Sequence, residues 1–300
     1  MKKAVVTGGL GFIGYHLCQA LLEEGVEVIC IDINQKEWKQ EHEEKLMRMG
    51  RNALFEFFHM DLDQIDSRLK THLSSADVVF HMASPVSKDS KWPMKHQTIH
   101  QANMWVQQLC EGMKENAKFI FPSTVEVYGD VPGLITEDTP LQPVSPYGVI
   151  KADVEEYIKK QTPTNSVHYQ IVRLPTIYGP WQRPDMTFCQ LIRKQQDIYQ
   201  DRSTLDVLYV TDAVAGLILS ANSNDTSEIY HLSSGEEGRW FTCAKLLGAE
   251  ADLLKRTHSR SSLSPDKAKN QLGFEARMPI EEGIQLQIDH EKQWQKLRDV

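Results

Sequence analysis

The sequence predicts an α/β protein in which a doubly wound parallel sheet is followed by a smaller mixed α/β lobe. Three observations carry this expectation. Short β-branched runs alternate with longer segments of helical spacing through the first 120 residues, the pattern of repeated βαβ units. A glycine-rich stretch, Thr7-Gly8-Gly9-Leu10-Gly11-Phe12-Ile13-Gly14, stands between the first such run and the first helical segment. After Pro122 the texture changes, with Gly, Pro and Thr clustered from Gly129 to Pro146 and short helical candidates separated by single strands beyond Thr176. Residues 1–174 are assigned to the first domain and 175–300 to the smaller lobe, some of whose strands and helices are free to return to the first.

Candidate strands of the first domain are Ala4 to Val6, Glu27 to Ile31, Phe55 to His59, Val78 to His81, Phe119 to Pro122 and Tyr169 to Arg173. Candidate helices are Phe12 to Glu24, Gln64 to Leu73, Thr98 to Glu115, where apolar residues such as Leu109 and Met113 recur four apart, and Tyr147 to Lys160. The segment Lys36 to Arg51 carries both charge signs and no β-branched residue, and reads as a solvated helix. In the smaller lobe, helices are expected at Asp185 to Lys194, Thr211 to Ala221, Pro265 to Leu272 and Pro279 to Leu297, with strands at Val207 to Tyr209 and Ile229 to Leu232.

Composition narrows the class of function. With 41% apolar and 25% charged residues the chain is an ordinary globular protein, neither disordered nor collagen-like. A net charge of -8 argues against a phosphate-backbone binder, so no nucleic-acid partner is expected. Five scattered cysteines in apolar stretches read as small hydrophobes in a reducing compartment. Met1-Lys2-Lys3 and the uncharged run Ala4 to Leu22 resemble a signal peptide only superficially, because the run holds four glycines and His16 and no small-x-small cleavage site follows. No stretch approaches the roughly 20 apolar residues of a membrane span. A cytoplasmic protein with no membrane partner is the expectation.

The glycine-rich stretch is the strongest chemical signal. A strand-to-helix turn of this kind needs glycines for positive φ and for close approach of backbone N–H groups to a pyrophosphate at the helix N-terminus, as in a Rossmann domain. Gly8, Gly11, Phe12, Ile13 and Gly14 are therefore candidate cofactor-binding residues. Asp32 ends the second strand, 18 residues beyond Gly14, where a carboxylate grips the ribose 2′-hydroxyl of NAD. The same carboxylate repels a 2′-phosphate, and no basic residue follows it directly, so NAD is expected in preference to NADP. Two later strand ends, Asp61-Leu62 and His81-Met82-Ala83-Ser84, extend the site, since ligands of doubly wound sheets gather at the carboxyl ends of strands. Asp61 has two readings, helix N-cap or adenine contact, and His81 is equally open.

The second signal is Ser145-Pro146-Tyr147-Gly148-Val149-Ile150-Lys151, which places a Tyr and a Lys on one face of a helix. A phenol of pKa near 10 serves as a base at neutral pH only beside positive charge, which Lys151 and the nicotinamide cation would supply. Ser123-Thr124 ends the preceding strand.

With these residues the chain resembles the extended short-chain dehydrogenase/reductase superfamily, in its NAD-dependent nucleotide-sugar epimerase, dehydratase and decarboxylase branch. Further matches are Asn103, Ser123-Thr124-Val125-Glu126-Val127-Tyr128-Gly129, Arg173-Leu174-Pro175 with Tyr178-Gly179-Pro180, Gln182-Arg183-Pro184-Asp185-Met186 and Tyr209-Val210-Thr211-Asp212. The resemblance implies oxidation of a nucleotide sugar, UDP-linked by expectation, at carbon 4. Tyr147 would take the hydroxyl proton, the hydride would pass to NAD, Thr124 would hold the oxygen, and Lys151 would bind the nicotinamide ribose and tune Tyr147. It adds Asp61, Leu62 and Ala83 to the cofactor contacts and Ser84 to the substrate contacts. It also implies a homodimer through the helices carrying Asn103 and Tyr147, with Val154, Tyr157 and Ile158 either at that interface or against the sheet.

The fate of the 4-keto sugar selects the activity. Family dehydratases place an Asp and then a Glu after the Thr, and Val125 cannot donate the proton that the Asp supplies, which disfavours a 4,6-dehydratase. Glu126 is retained as in family decarboxylases, or else is an ion-pairing or loop-anchoring carboxylate. A 4-epimerase needs no acid at either position and is the leading expectation, with a UDP-uronic acid decarboxylase as the alternative. Relatives carry an Arg for the substrate diphosphate where this chain has Leu205, and another where it has Trp181. Arg202 and Arg183 are the nearby candidates for that task. The two missing arginines motivate a third reading, a small-carbonyl reductase, while retention of Thr124, Tyr147 and Lys151 argues against a non-catalytic binder. His96 and His100, four apart, lack a third ligand, so no metal is expected. Trp92, Trp105 and Trp181 read as packing residues, and Cys30 and Cys110 lack the basic neighbours of a nucleophile.

Overall fold

The computed structural model describes residues 1–33, 39–85, 96–195, 198, 206–254 and 262–298. β1 (Lys3–Thr7) passes through the glycine turn into α1 (Phe12–Glu23) and β2 (Glu27–Asp32). α2 (Lys39–Met49), β3 (Phe55–His59), α3 (Ser67–Ser75), β4 (Val78–His81), α4 (His96–Gly112) and β5 (Lys118–Thr124) continue the alternation. A short 3-10 helix, Val125–Tyr128, precedes α5 (Pro146–Thr164) and β6 (His168–Leu174). The rest of the chain forms β7 (Thr176–Tyr178), α6 (Thr187–Ile192), β8 (Val207–Tyr209), α7 (Val210–Asn222), β9 (Glu228–His231), α8 (Arg239–Leu246), a short π-helix at Ala268–Leu272, and α9 (Ile280–Arg298).

The main sheet has seven strands in the order β3-β2-β1-β4-β5-β6-β9, the doubly wound arrangement that the alternating pattern predicts. β1 lies inside it, with Val5 opposite Ile29 of β2 on one side and Val79 of β4 on the other, both pairs parallel. Strands buried on both faces read as continuous apolar runs, and Ala4, Val5 and Val6 are fully buried. The order reverses between β1 and β4, so the carboxyl ends of these strands flank the crevice where doubly wound sheets bind ligands.

The chain forms two compact, discontinuous units. The first comprises Met1–Ser123, Ser145–Val172 and Ser220–Ile229; the second comprises Thr124–Val144, Arg173–Leu219 and Tyr230–Val300. The first is built on Val5, Ile29, Val79, Phe119, Val106 and Ile158, packed from strands and helices alike. The second holds the small parallel sheet of β7 and β8. Local chemistry sets the helix starts: Asp66 caps α3 by accepting from Leu69 N–H at 3.0 Å, and Ser145 caps α5 by accepting from Gly148 N–H at 3.0 Å, with Pro146 in the first turn.

Three sequence expectations are corrected. α2 is not wholly solvated, because Lys45 is completely buried, its Nζ donating to Leu10 O at 2.8 Å and to Glu41 Oε1 at 2.5 Å. β7 was not anticipated, being three residues long behind Pro175. Nor was α8, whose N-cap is Gly238 in a left-handed conformation with no side-chain cap. Among the described residues no helix is long and apolar enough to cross a membrane. The five cysteines are all buried and unbridged.

Candidate active site

In the first unit the glycine turn is dictated by space. Gly8 has φ +67°, and a Cβ there would lie 2.6 Å from Ala83 N; a Cβ on Gly14 would lie 2.2 Å from Gly8 O. The turn thus presses against the end of β4, and α1 presses against the turn. Gly11 caps α1 without a side chain, and the first helical turn holds no acidic residue. The cap brings no side-chain acceptor of its own to the first turn of α1, whose N–H groups and helix dipole fit a dinucleotide pyrophosphate. Below the turn, a Cβ on Gly9 would meet Cys30 Sγ at 2.5 Å and Cys18 Sγ at 3.2 Å. Burial pushes the Cys30 thiol up, which leaves it a packing group.

Asp32, at the end of β2, accepts from Leu10 N–H at 2.8 Å through one oxygen and from Ile33 N–H at 2.7 Å through the other. Burial raises its pKa, while these backbone bonds and the Lys45 charge pull it down. These bonds fix the carboxylate beside the turn. Asp61 is exposed and closes a tight turn by accepting from Asp63 N–H at 3.0 Å; the cap of α3 is Asp66. Leu62 is buried, and Met60 N–H donates to Asp32 O at 3.1 Å, so the loop that follows β3 starts tied to the end of β2.

At the end of β4, His81 Nδ1 bonds Thr7 Oγ1 at 2.8 Å, and Ala83 N–H donates to the same hydroxyl at 3.3 Å. The imidazole stacks on Phe121 and is pushed down to about 3 by burial first and by the Lys151 charge second. His81 is therefore a neutral ring that ties β4 to the glycine turn. Ala83 and Ser84 are half-buried at the same strand end.

α5 presents Tyr147, 40% exposed, one turn before Lys151, 5% exposed. Lys151 Nζ donates to Pro122 O at 2.9 Å and lies 4.3 Å from the Phe121 ring centroid and 5.8 Å from that of Tyr147. Burial pushes this amine down to about 8, against the pull of Glu155. Glu155 was missed by sequence reasoning; it is completely buried and accepts from Ser123 Oγ at 2.5 Å. The available signal was spacing, since Tyr147, Lys151 and Glu155 recur every fourth residue. Asn103 donates to Asp153 Oδ1 at 2.9 Å and so links α4 to α5. Val154 and Ile158 are buried in the core of this unit, and Tyr157 donates to Gln107 Oε1 at 3.1 Å, which places all three against the chain's own elements.

In the second unit Thr124 caps the 3-10 helix by accepting from Glu126 N–H at 3.2 Å. Val125 is buried and Glu126 half-buried. Tyr128, fully buried, receives Arg173 Nη1 on its hydroxyl, which also bonds His231 Nε2. Arg183 pairs with Asp185, its Nε donating at 2.9 Å. Trp181 is buried with φ +66° and packs against His290 and Trp294, at 4.4 and 4.8 Å between ring centroids. Arg202, Leu205 and Trp92 lie outside the described residues. The structure thus gathers the glycine turn with Asp32 and Ala83, and Tyr147 with Lys151, in the first unit, and Thr124 with Glu126 in the second.

Comparison with known proteins identifies the family. The family model of the NAD dependent epimerase/dehydratase family matches residues 4–233. An uncharacterized UDP-glucose epimerase, YtcB, of Bacillus subtilis (strain 168) is 34% identical over 226 residues, 72% of this chain and 71% of that protein. The dTDP-D-glucose 4,6-dehydratase of Homo sapiens is 25% identical over 96% of this chain and 89% of its own. Among solved structures, a UDP-glucuronic acid 4-epimerase from Bacillus cereus in complex with NAD superposes with a TM-score of 0.82 at 29% identity, covering 98% of each chain. The chain therefore belongs to the NAD-dependent epimerase/dehydratase family, and it is an NAD-dependent enzyme of that kind.

Proposed function

We propose that this enzyme is a UDP-sugar 4-epimerase working through a 4-keto intermediate. The observation that carries the reading is the half-exposed Tyr147 one helical turn from the buried Lys151, whose amine is pinned to the end of β5. When bound, NAD supplies a hydride acceptor that can return the same hydride. Gly8, Gly11, Phe12, Ile13 and Gly14 hold the pyrophosphate on backbone N–H groups, Asp32 holds the adenosine ribose, and Asp61, Leu62 and Ala83 complete that wall. Tyr147 takes the C4 hydroxyl proton as the C4–H bond breaks and returns a proton when the hydride comes back to the opposite face. Lys151 supplies the positive charge that makes the phenolate attainable. Thr124 accepts from Glu126 N–H and keeps its own proton to donate to the C4 oxygen. Ser84 is assigned to the sugar and Arg183 to the diphosphate, a task for which Arg183 must leave Asp185; Arg202 is the second candidate for the diphosphate.

Val125 separates this reading from dehydration. A 4,6-dehydratase needs a general acid for the departing hydroxyl, a contribution of about 10²–10⁴-fold, and a buried valine offers no proton. The relatives named for UDP-glucose and UDP-glucuronic acid support a UDP-linked hexose or hexuronic acid as substrate. Glu126, half-buried next to Val125, favours a second reading, decarboxylation of a UDP-uronic acid. Incubation of the NAD-loaded enzyme with UDP-glucose and with UDP-glucuronic acid, followed by NMR, separates the two. A C4 epimer of unchanged mass is expected; release of CO₂ would transfer the assignment to the decarboxylase, and loss of water would overturn both.

A further inference from the structure

Tyr147, Lys151 and Glu155 occupy successive turns of one face of α5, and the lower two grip adjacent residues of β5. Lys151 Nζ donates to Pro122 O at 2.9 Å, and Glu155 Oε1 accepts from Ser123 Oγ at 2.5 Å. The next residue in the chain is Thr124. Glu155 is completely buried, and a buried carboxylate persists only where charge and hydrogen bonds compensate its lost hydration.

We propose that Glu155 is a positioning residue for the Tyr147–Lys151 pair, acting as the buried counter-charge of Lys151 and as the anchor that holds the end of β5. The inference rests on the reading of Tyr147 as the base. Around Lys151, the described groups are Pro122 O and the Phe121 ring from β5, the neutral His81 from β4, and Tyr147 and Glu155 from α5 itself. Of these, Glu155 is the one whose charge raises the pKa of the buried amine, opposing the desolvation that lowers it. Without that carboxylate Lys151 gives up its proton at lower pH. Tyr147 then loses the positive neighbour that stabilises its phenolate, and its own ionisation moves to higher pH.

The test is an ultraviolet titration of the Tyr147 phenolate in the NAD-loaded protein, read as the difference between wild type and Tyr147→Phe. The same difference is then measured in a Glu155→Gln background. An upward move of the phenolate transition by about one pH unit is expected; an identical transition in both backgrounds overturns the proposal and leaves Glu155 a packing residue. Should Glu155→Gln fail to fold, Glu155→Asp carries the test, because drawing the carboxylate back by one methylene weakens its pull and gives a smaller upward move, whereas no move overturns the proposal. The two claims fail separately. A Tyr147 phenolate that forms no lower than the ordinary tyrosine value of about 10 contradicts the reading of Tyr147 as the base, while a depressed phenolate that ignores Glu155 contradicts only this inference.

Discussion

The two units place their polar side chains by different means. In the first, the groups that matter are set by the backbone: Gly8 by its contact with Ala83, Asp32 by Leu10 and Ile33 N–H, and Lys151 by Pro122 O. In the second, side chains far apart in sequence hold one another. Arg173, Tyr128 and His231 form one buried chain of hydrogen bonds, and Glu137 accepts from His231 N–H at 2.8 Å. Asp206 is held by Ser233 and Ser234, and Arg193 by Glu291. A glycine turn, or a Tyr and a Lys spaced for one helix face, leaves a contiguous motif, whereas a residue held only by a distant side chain leaves none.

The sharpest way to break this contrast is Tyr147→Phe. Tyr147 is half-exposed and its hydroxyl is assigned to chemistry, so turnover of a UDP-sugar should fall by about 10²–10⁴-fold while thermal stability holds. A variant that keeps turnover would remove the first unit's claim to the chemistry. A smaller effect is expected of Gly8→Ala. A Cβ at φ +67° and 2.6 Å from Ala83 N forces the turn to shift, with strain of about 1–2 kcal/mol before any contact is counted, so NAD should bind at least about tenfold more weakly in calorimetry. Unchanged affinity would show that the turn is not the cofactor cradle.

The smallest effect is one of pH, and both units contribute to it. His81 in the first and His231 in the second are each pushed down to about 3, chiefly by burial, with Lys151 acting on His81 and Arg173 and Lys267 on His231. The unfolded chain binds those protons near pH 6.5 and the folded chain does not, so stability is whole above about 6.5 and drains as pH falls toward 3. Between about pH 6 and 5, above the carboxylate range, the unfolding free energy should fall by about 1.4 kcal/mol per pH unit for each histidine. His42 in the first unit, pushed down to about 4 by burial and the Lys45 charge, adds to the same slope; urea unfolding at several pH values measures it, and His231→Gln should reduce it by about a third.

Most of the main sheet was legible in the sequence because its strands are buried on both faces and therefore write themselves as apolar runs. The glycine turn, Asp32 and the Tyr147–Lys151 pair were legible by residue type and spacing along the chain. Lys45 and Glu155 were not: a charge in a helix reads as solvated unless its partner is known, and their partners, Leu10 O and Ser123 Oγ, lie 35 and 32 residues away. β7 and α8 escaped because a three-residue strand and a helix opened by a left-handed glycine carry little local pattern. The family resemblance leads to the expectation of an arginine at position 181, and the structure spends Trp181 on packing against His290 and Trp294, which no reading of its neighbours in sequence could supply.

The central claim is that a hydride leaves carbon 4 and returns to it on the other face. UDP-glucose and UDP-glucuronic acid deuterated at C4 test it directly, with products analysed by NMR and mass spectrometry. The account predicts a C4 epimer that retains deuterium at C4 with no accumulation of free NADH. A product that has lost the C4 deuterium to solvent, or deuterium recovered in released NADH beside an oxidised sugar, would contradict it.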